Sequence, residues 1–142
     1  MTAGHFRRAP VTVAMVLAAV AVLAGCFDVQ SSDLFLLTRT GPARKLTLLV
    51  NNSGTLSCNG AKAKTISSAM LIQARDLAVD LTKDATDKLT IPASPTTVNY
   101  FRVKLQQGTV SFPDRAAHTQ KALAEAELFA LAAAQQVCGL RG

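Results

Sequence analysis

The chain has 142 residues, and residues 26–142 are enough for one compact domain and too few for two. Its 15 Lys and Arg against nine Asp and Glu give a net charge of +6, compatible with attraction to anionic headgroups or wall polymers but equally with an ordinary solvated surface, because the basic residues are scattered. Two His and three Cys provide no close-spaced pair of the kind a structural metal needs.

His5, Arg7 and Arg8 make a basic start, and Val11 to Ala24 is uncharged and apolar. This is the layout of an export signal. The apolar stretch, about 14 residues, is short of the roughly 20 that cross a hydrocarbon core. It ends in Leu23-Ala24-Gly25-Cys26, which resembles the lipobox of bacterial lipoproteins. That resemblance implies a diacylglyceryl group on the Cys26 thiol, cleavage just before it, and loss of residues 1–25 as a signal peptide. Ala24 and Gly25 suit a narrow peptidase site. Pro10 after Arg7-Arg8 fits the general secretory route better than twin-arginine export. Two acyl chains suffice for stable anchoring. Residues 26–32 would then be the lipidated cysteine and a short tether, reaching roughly 20 Å at about 3.3 Å per residue. The domain at 33–142 is expected close to the outer side of the cell membrane, where nucleic acid is not an expected partner.

Leu34 to Thr38 reads as a first strand before a Gly41-Pro42 turn, and Leu46 to Val50 as a second. Asn51-Asn52-Ser53-Gly54 forms a turn into a third strand, Thr55 to Cys58. Alternation puts Leu56 and Cys58 on the buried side, Thr55 and Ser57 on the other. Ile66, Met70, Leu77 and Leu81, with Ala74 between, recur at helical spacing behind Ser67 as N-cap. The opposite side of that helix carries Asp76, Asp80, Asp84 and Asp87. Such a row can hold a hard cation or do acid–base work. With Lys83 and Lys88 at pairing distances it reads more simply as a solvated face.

Leu89 to Ile91 is expected as a short strand before Pro92-Ala93-Ser94-Pro95, a loop stiffened by its prolines. Such rigidity lowers the ordering cost of binding and makes the loop a second contact candidate. Tyr100 to Leu105 alternates, with Phe101, Val103 and Leu105 inward and Tyr100, Arg102 and Lys104 outward. Gln106-Gln107-Gly108 turns the chain into Thr109 to Phe112. A long helix is predicted from Asp114, as N-cap, to about Val137, with Gly139 in the left-handed position past its end. The segment Gly54 to Gly60 is echoed by Gly108 to Asp114. The fold class is α+β: a small antiparallel sheet with two helices packed on one face, made of two strand-strand-helix units if the echo is a duplication.

With Cys26 used by the lipid, Cys58 and Cys138 are an even pair in an oxidising compartment, where a disulfide is the default. Closing so long a loop contributes roughly 4.5 kcal/mol in the chain-entropy model, less any strain. A catalytic thiol would want a histidine nearby, and only His118 follows Cys26. No Gly-x-Ser-x-Gly elbow, His-Glu-x-x-His pair or Ser-x-x-Lys stretch is present, and Gly54 to Lys62 misses the phosphate-loop spacing. His118 reads as a surface or rim residue. No catalytic residue, metal or cofactor is assigned, and the chain is not expected to be an enzyme.

The residues best placed to bind lie on the sheet face opposite the helices: Tyr100, Arg102 and Lys104, flanked by Thr47, Leu49, Thr109 and Ser111. An aromatic with two cations on a flat surface can meet an envelope protein or an anionic surface. Outward polar side chains are also what exposed antiparallel sheets ordinarily show.

The stretch from Asp33-Leu34-Phe35 through Cys58-Asn59-Gly60, with Gly108-Thr109-Val110-Ser111-Phe112 and Val137-Cys138-Gly139-Leu140, resembles small alanine-rich lipoproteins of actinobacterial type that have no assigned activity. A weaker similarity is to secreted subtilisin-inhibitor-like proteins, which also place a cysteine at the end of an early strand before a helix. This chain lacks their second helix cysteine and the disulfide bracing the inhibitory loop, and it adds a terminal helix. The resulting expectation is a membrane-anchored extracytoplasmic lipoprotein, a non-catalytic binding or scaffold protein of the cell envelope. The alternatives are a carrier holding a small apolar ligand between helices and sheet, and a protease inhibitor.

Overall fold

The structure is a computed structural model that describes residues 29–140; the leader, Cys26 and the start of the tether lie outside the described residues. Strand β1 (Asp33–Thr40) is followed by β2 (Leu46–Asn51), β3 (Thr55–Cys58) and the two-residue β4 (Lys64–Thr65). Helices α1 (Ser68–Asp80) and α2 (Thr82–Thr86) precede β5 (Tyr100–Lys104) and β6 (Thr109–Pro113). A 3₁₀ turn over Asp114–His118 leads to α3 (Lys121–Gln136). The six strands form one sheet in the order β4-β3-β2-β1-β5-β6, with every neighbouring pair antiparallel. This is the α+β arrangement predicted from the alternating strands, with the helices packed on one face.

Strict alternation sorts the strands. Phe35 and Leu37 of β1, Leu46, Leu48 and Val50 of β2, and Phe101 and Val103 of β5 are buried on the helix side. The helices meet them with Met70, Ala74 and Leu77 from α1 and Leu123, Ala126, Phe129, Ala130 and Ala133 from α3. The alanines let α3 approach closely, and Phe129 sets its edge against Phe35 with ring centroids 5.5 Å apart. Phe101 and Phe112 stack at 5.3 Å. These side chains form one core cluster between the helices and the sheet.

The helix ends show local chemistry. The Ser67 hydroxyl accepts from the Met70 amide at 3.2 Å, capping α1 as its sequence position predicts. Arg75 fastens that helix to the β2–β3 turn by donating to the side-chain and backbone oxygens of Asn52. Near Leu81 the helical path breaks into α2, where the Thr82 hydroxyl donates to the Ala78 carbonyl; such back-bonding bends helices. At the other terminus Gly139 takes φ 67°, and the Leu140 amide reaches back to the Ala134 carbonyl at 2.9 Å. That geometry closes the helix as glycine permits.

Cys58 and Cys138 are disulfide-bonded across a sequence separation of 80, with Cα atoms 5.8 Å apart. The bond ties the end of β3 to the residue just beyond α3, and Lys64 adds a hydrogen bond to the Val137 carbonyl at 2.8 Å.

Two elements differ from the sequence reading. The last helix begins at Lys121, not at Asp114. Asp114 caps no helix of that length: its Oδ2 accepts from the amides of Val98 and Asn99, and its Oδ1 from Arg115. The carboxylate is claimed by a loop distant in sequence, and the chain winds through a 3₁₀ turn before Thr119 and Gln120 reset it. Leu89 to Ile91 does not form a strand. Instead Thr90 makes a single parallel bridge to Ser111, with Ser111 donating to the Leu89 carbonyl and accepting from the Ile91 amide. The segment thereby covers the outer edge of β6.

Candidate functional site

The side of the sheet away from the helices carries the predicted binding residues in two cross-strand rows. One row runs Thr109, Lys104, Leu36, Leu49, Ser57 across β6, β5, β1, β2 and β3. The next runs Ser111, Arg102, Thr38, Thr47. Side chains directly opposite on neighbouring strands are the closest pairs a sheet offers. Strand register therefore brings together residues that are far apart in the chain.

At the β1–β2–β3 side the rows frame a shallow trough of about 470 Å³. Half-exposed Leu36 and Leu49 form its apolar part; Thr38, Thr47 and Ser57 supply hydroxyls, and Lys45 and Asn59 stand at the rim. Asn59 builds that wall after β3 has ended. In the left-handed region at φ 51°, which asparagine tolerates, it takes the Thr47 amide on its Oδ1 at 2.7 Å and donates its own amide to the Thr47 carbonyl at 2.7 Å. Cys58 points to the helices and Asn59 to the trough, so the disulfide steadies this wall from behind.

Arg102 is exposed, and Lys104 is half-buried beside it. Tyr100, the third predicted residue, is partly withdrawn: its hydroxyl donates to the Ile91 carbonyl at 2.8 Å, which spends its polar end on the segment along β6. Ser111 was expected outward and accessible, yet it is 8% exposed, with that same segment hydrogen-bonded along it. The accessible part of the open face thus lies toward β1, β2 and β3. Leu36 and Lys45 belong to it and were not assigned from sequence. The signal existed for Lys45, which precedes an inward Leu46 and so must point outward.

A second hollow, about 340 Å³, opens between the 3₁₀ turn and α3 and is lined in part by Arg39, Asn99, His118, Glu127 and Leu131. Burial holds the Glu127 carboxyl above its usual range, Asp114 pushes the same way, and His118 opposes both. No serine or cysteine lines the hollow. His118 is exposed, as its rim assignment predicts. Asp76, Asp80 and Asp87 face solvent and Asp84 is half-buried; Lys83 pairs with Asp87 one turn away, and that contact raises the Lys83 pKa. Among the described residues no group of three His, Cys, Asp or Glu could hold a metal ion.

No family model, curated protein or solved structure matches this chain.

Proposed function

We propose that this protein is an extracytoplasmic lipoprotein, anchored in the cell membrane through a diacylglyceryl Cys26, that binds an envelope partner on its open sheet face and catalyses no reaction. The observation that carries the binding part is the sheet face itself. It is left bare by α1, α2 and α3, is rimmed by Lys45 and Arg102, and contains a trough with two half-exposed leucines. The Leu23-Ala24-Gly25-Cys26 ending of the apolar start supports the anchor. The Cys58–Cys138 bond supports an oxidising compartment, since disulfides persist there. Gln30 and Ser32 already hydrogen-bond to Asp33, Gln106 and Asn52, so only a few residues separate Cys26 from the fold.

Two measurements test this. Intact-mass analysis of the native product should find a chain that begins at Cys26 and carries acyl mass; an unmodified thiol with residues 1–25 attached would refute the anchor. In-membrane crosslinking of the wild type and of an Arg102→Glu, Lys104→Glu variant, with protein and lipid adducts both read, tests the face. Loss of the captured partners in the variant is expected, and an unchanged set would remove that surface.

A further inference from the structure

Acidic residues are distributed unevenly. None occurs between Asp33 and Asp76, and none between Asp87 and Asp114. All six strands lie within those two stretches apart from Asp33 itself. The acids of the described domain gather on the helical side instead, with Asp76 and Asp80 on α1, Asp84 on α2, and Glu125 and Glu127 on α3. The open face therefore presents Lys45 and Arg102, with exposed Arg44 in the adjoining turn, and among the described residues no carboxylate. One side of the domain is cationic and the other is rich in carboxylates, which orients the molecule in an external field.

From this arrangement we infer that the open sheet face lies against the anionic phospholipid headgroups of the membrane that holds the protein. The inference rests on the anchored reading above and names the partner of that same face. Each cation near an anionic bilayer favours contact by about fivefold, and the Arg102 guanidinium can grip a phosphate through two donors. Leu36 and Leu49, in the cross-strand row next to that of Arg102, meet the interfacial zone, where apolar side chains gain by leaving water. A second copy is a poor occupant, because a two-fold pairing sets a surface against itself and here would bring like charges together. The few residues between Cys26 and Gln30, reaching about 13 Å, keep the face within touching distance.

Lysine acetylation, read by mass spectrometry on the full acylated protein in vesicles, tests this directly. Vesicles of phosphatidylglycerol mixed with phosphatidylcholine are compared with phosphatidylcholine alone. On the anionic vesicles Lys45 should react about fivefold more slowly or less, while Lys83, Lys88 and Lys121 on the helical side react alike on both. About 1 M salt should abolish the difference, since it shortens the screening length to about 3 Å. An Arg44→Glu, Arg102→Glu variant should restore Lys45 reactivity with its melting temperature unchanged. Equal Lys45 reactivity on the two vesicles, equal protection on both, or protection of the helical lysines instead would each overturn the inference. So would protection seen only in native membranes, which would indicate a protein partner. The mass of Cys26 in the same sample separates the two readings: acylated protein with unprotected Lys45 leaves the anchor standing and removes the lipid contact. Unacylated protein that is still protected when added to anionic vesicles does the reverse.

Discussion

The two faces of the sheet are made by the same strands, often by adjacent residues, yet they do different work. On the helix side Phe35, Leu37, Leu48, Val50 and Val103 have no solvent exposure at all. On the open side their neighbours Leu36, Thr38, Thr47, Leu49 and Arg102 remain half-exposed or exposed. Alternation by twos thus divides each strand into a half that stabilises and a half that is available for contact. The division predicts that stability and the proposed binding can be damaged separately.

The largest effect is expected at the covalent brace of the buried side. Cys58→Ser with Cys138→Ser should lower stability by about 4.5 kcal/mol, on the chain-entropy value for a loop of this size, and calorimetry with and without reductant would check it. A loss under about 1 kcal/mol would mean that the reduced chain keeps the ends together without the bond.

A sharper comparison uses two neighbouring leucines. Leu48→Ala removes a fully buried side chain and should cost about 2–5 kcal/mol. Leu49→Ala, one residue on and facing the trough, should cost less than about 1 kcal/mol. Denaturant unfolding of the pair reads both. If Leu49→Ala costs as much as Leu48→Ala, the open face is covered by something in the folded protein and is not a contact surface.

Ser67→Ala comes next. It removes the hydroxyl that accepts from the Met70 amide and should cost about 1 kcal/mol, with no effect on Lys45 reactivity at membranes. A change on both readouts would couple α1 to the open face through the Arg75–Asn52 contacts.

The halves of the strands were legible in the sequence because alternation needs no partner to be read. Thr55 to Cys58, Ser67 and the inward set Phe101, Val103 and Leu105 follow from local pattern alone, and the structure has them so. Asp114 departs from its local pattern for a different reason. By local rules it is a good N-cap, but amides of Val98 and Asn99 compete for its carboxylate, and no nearby residue announces them. The open face was half legible. Arg102 and Lys104 were placed outward correctly, whereas the pairing of Leu36 with Leu49 and Lys104 depends on register, which only the assembled sheet fixes. The gaps in acidic residues were visible in the chain throughout. They acquired meaning only when the strands and the helices proved to be separate layers.

The smallest effect lies outside both faces, at Glu127, and its sign is opposite to that of most carboxylates. Burial, helped by Asp114, raises the folded-state pKa of this group. The native chain therefore binds the proton more tightly than the unfolded chain does. Stability from this site is fully present below the unfolded value, about 4.3, and is lost as pH rises through the higher folded value. Glu127→Gln abolishes the ionisation and keeps the shape. The variant should melt slightly above the wild type at neutral pH, on the order of 1 °C, and the two should coincide at about pH 4. A gain that persists in acid would belong to packing against Leu128 and Leu131 and not to charge. A loss at neutral pH would mean that His118, the one neighbour that favours the charged form, outweighs burial.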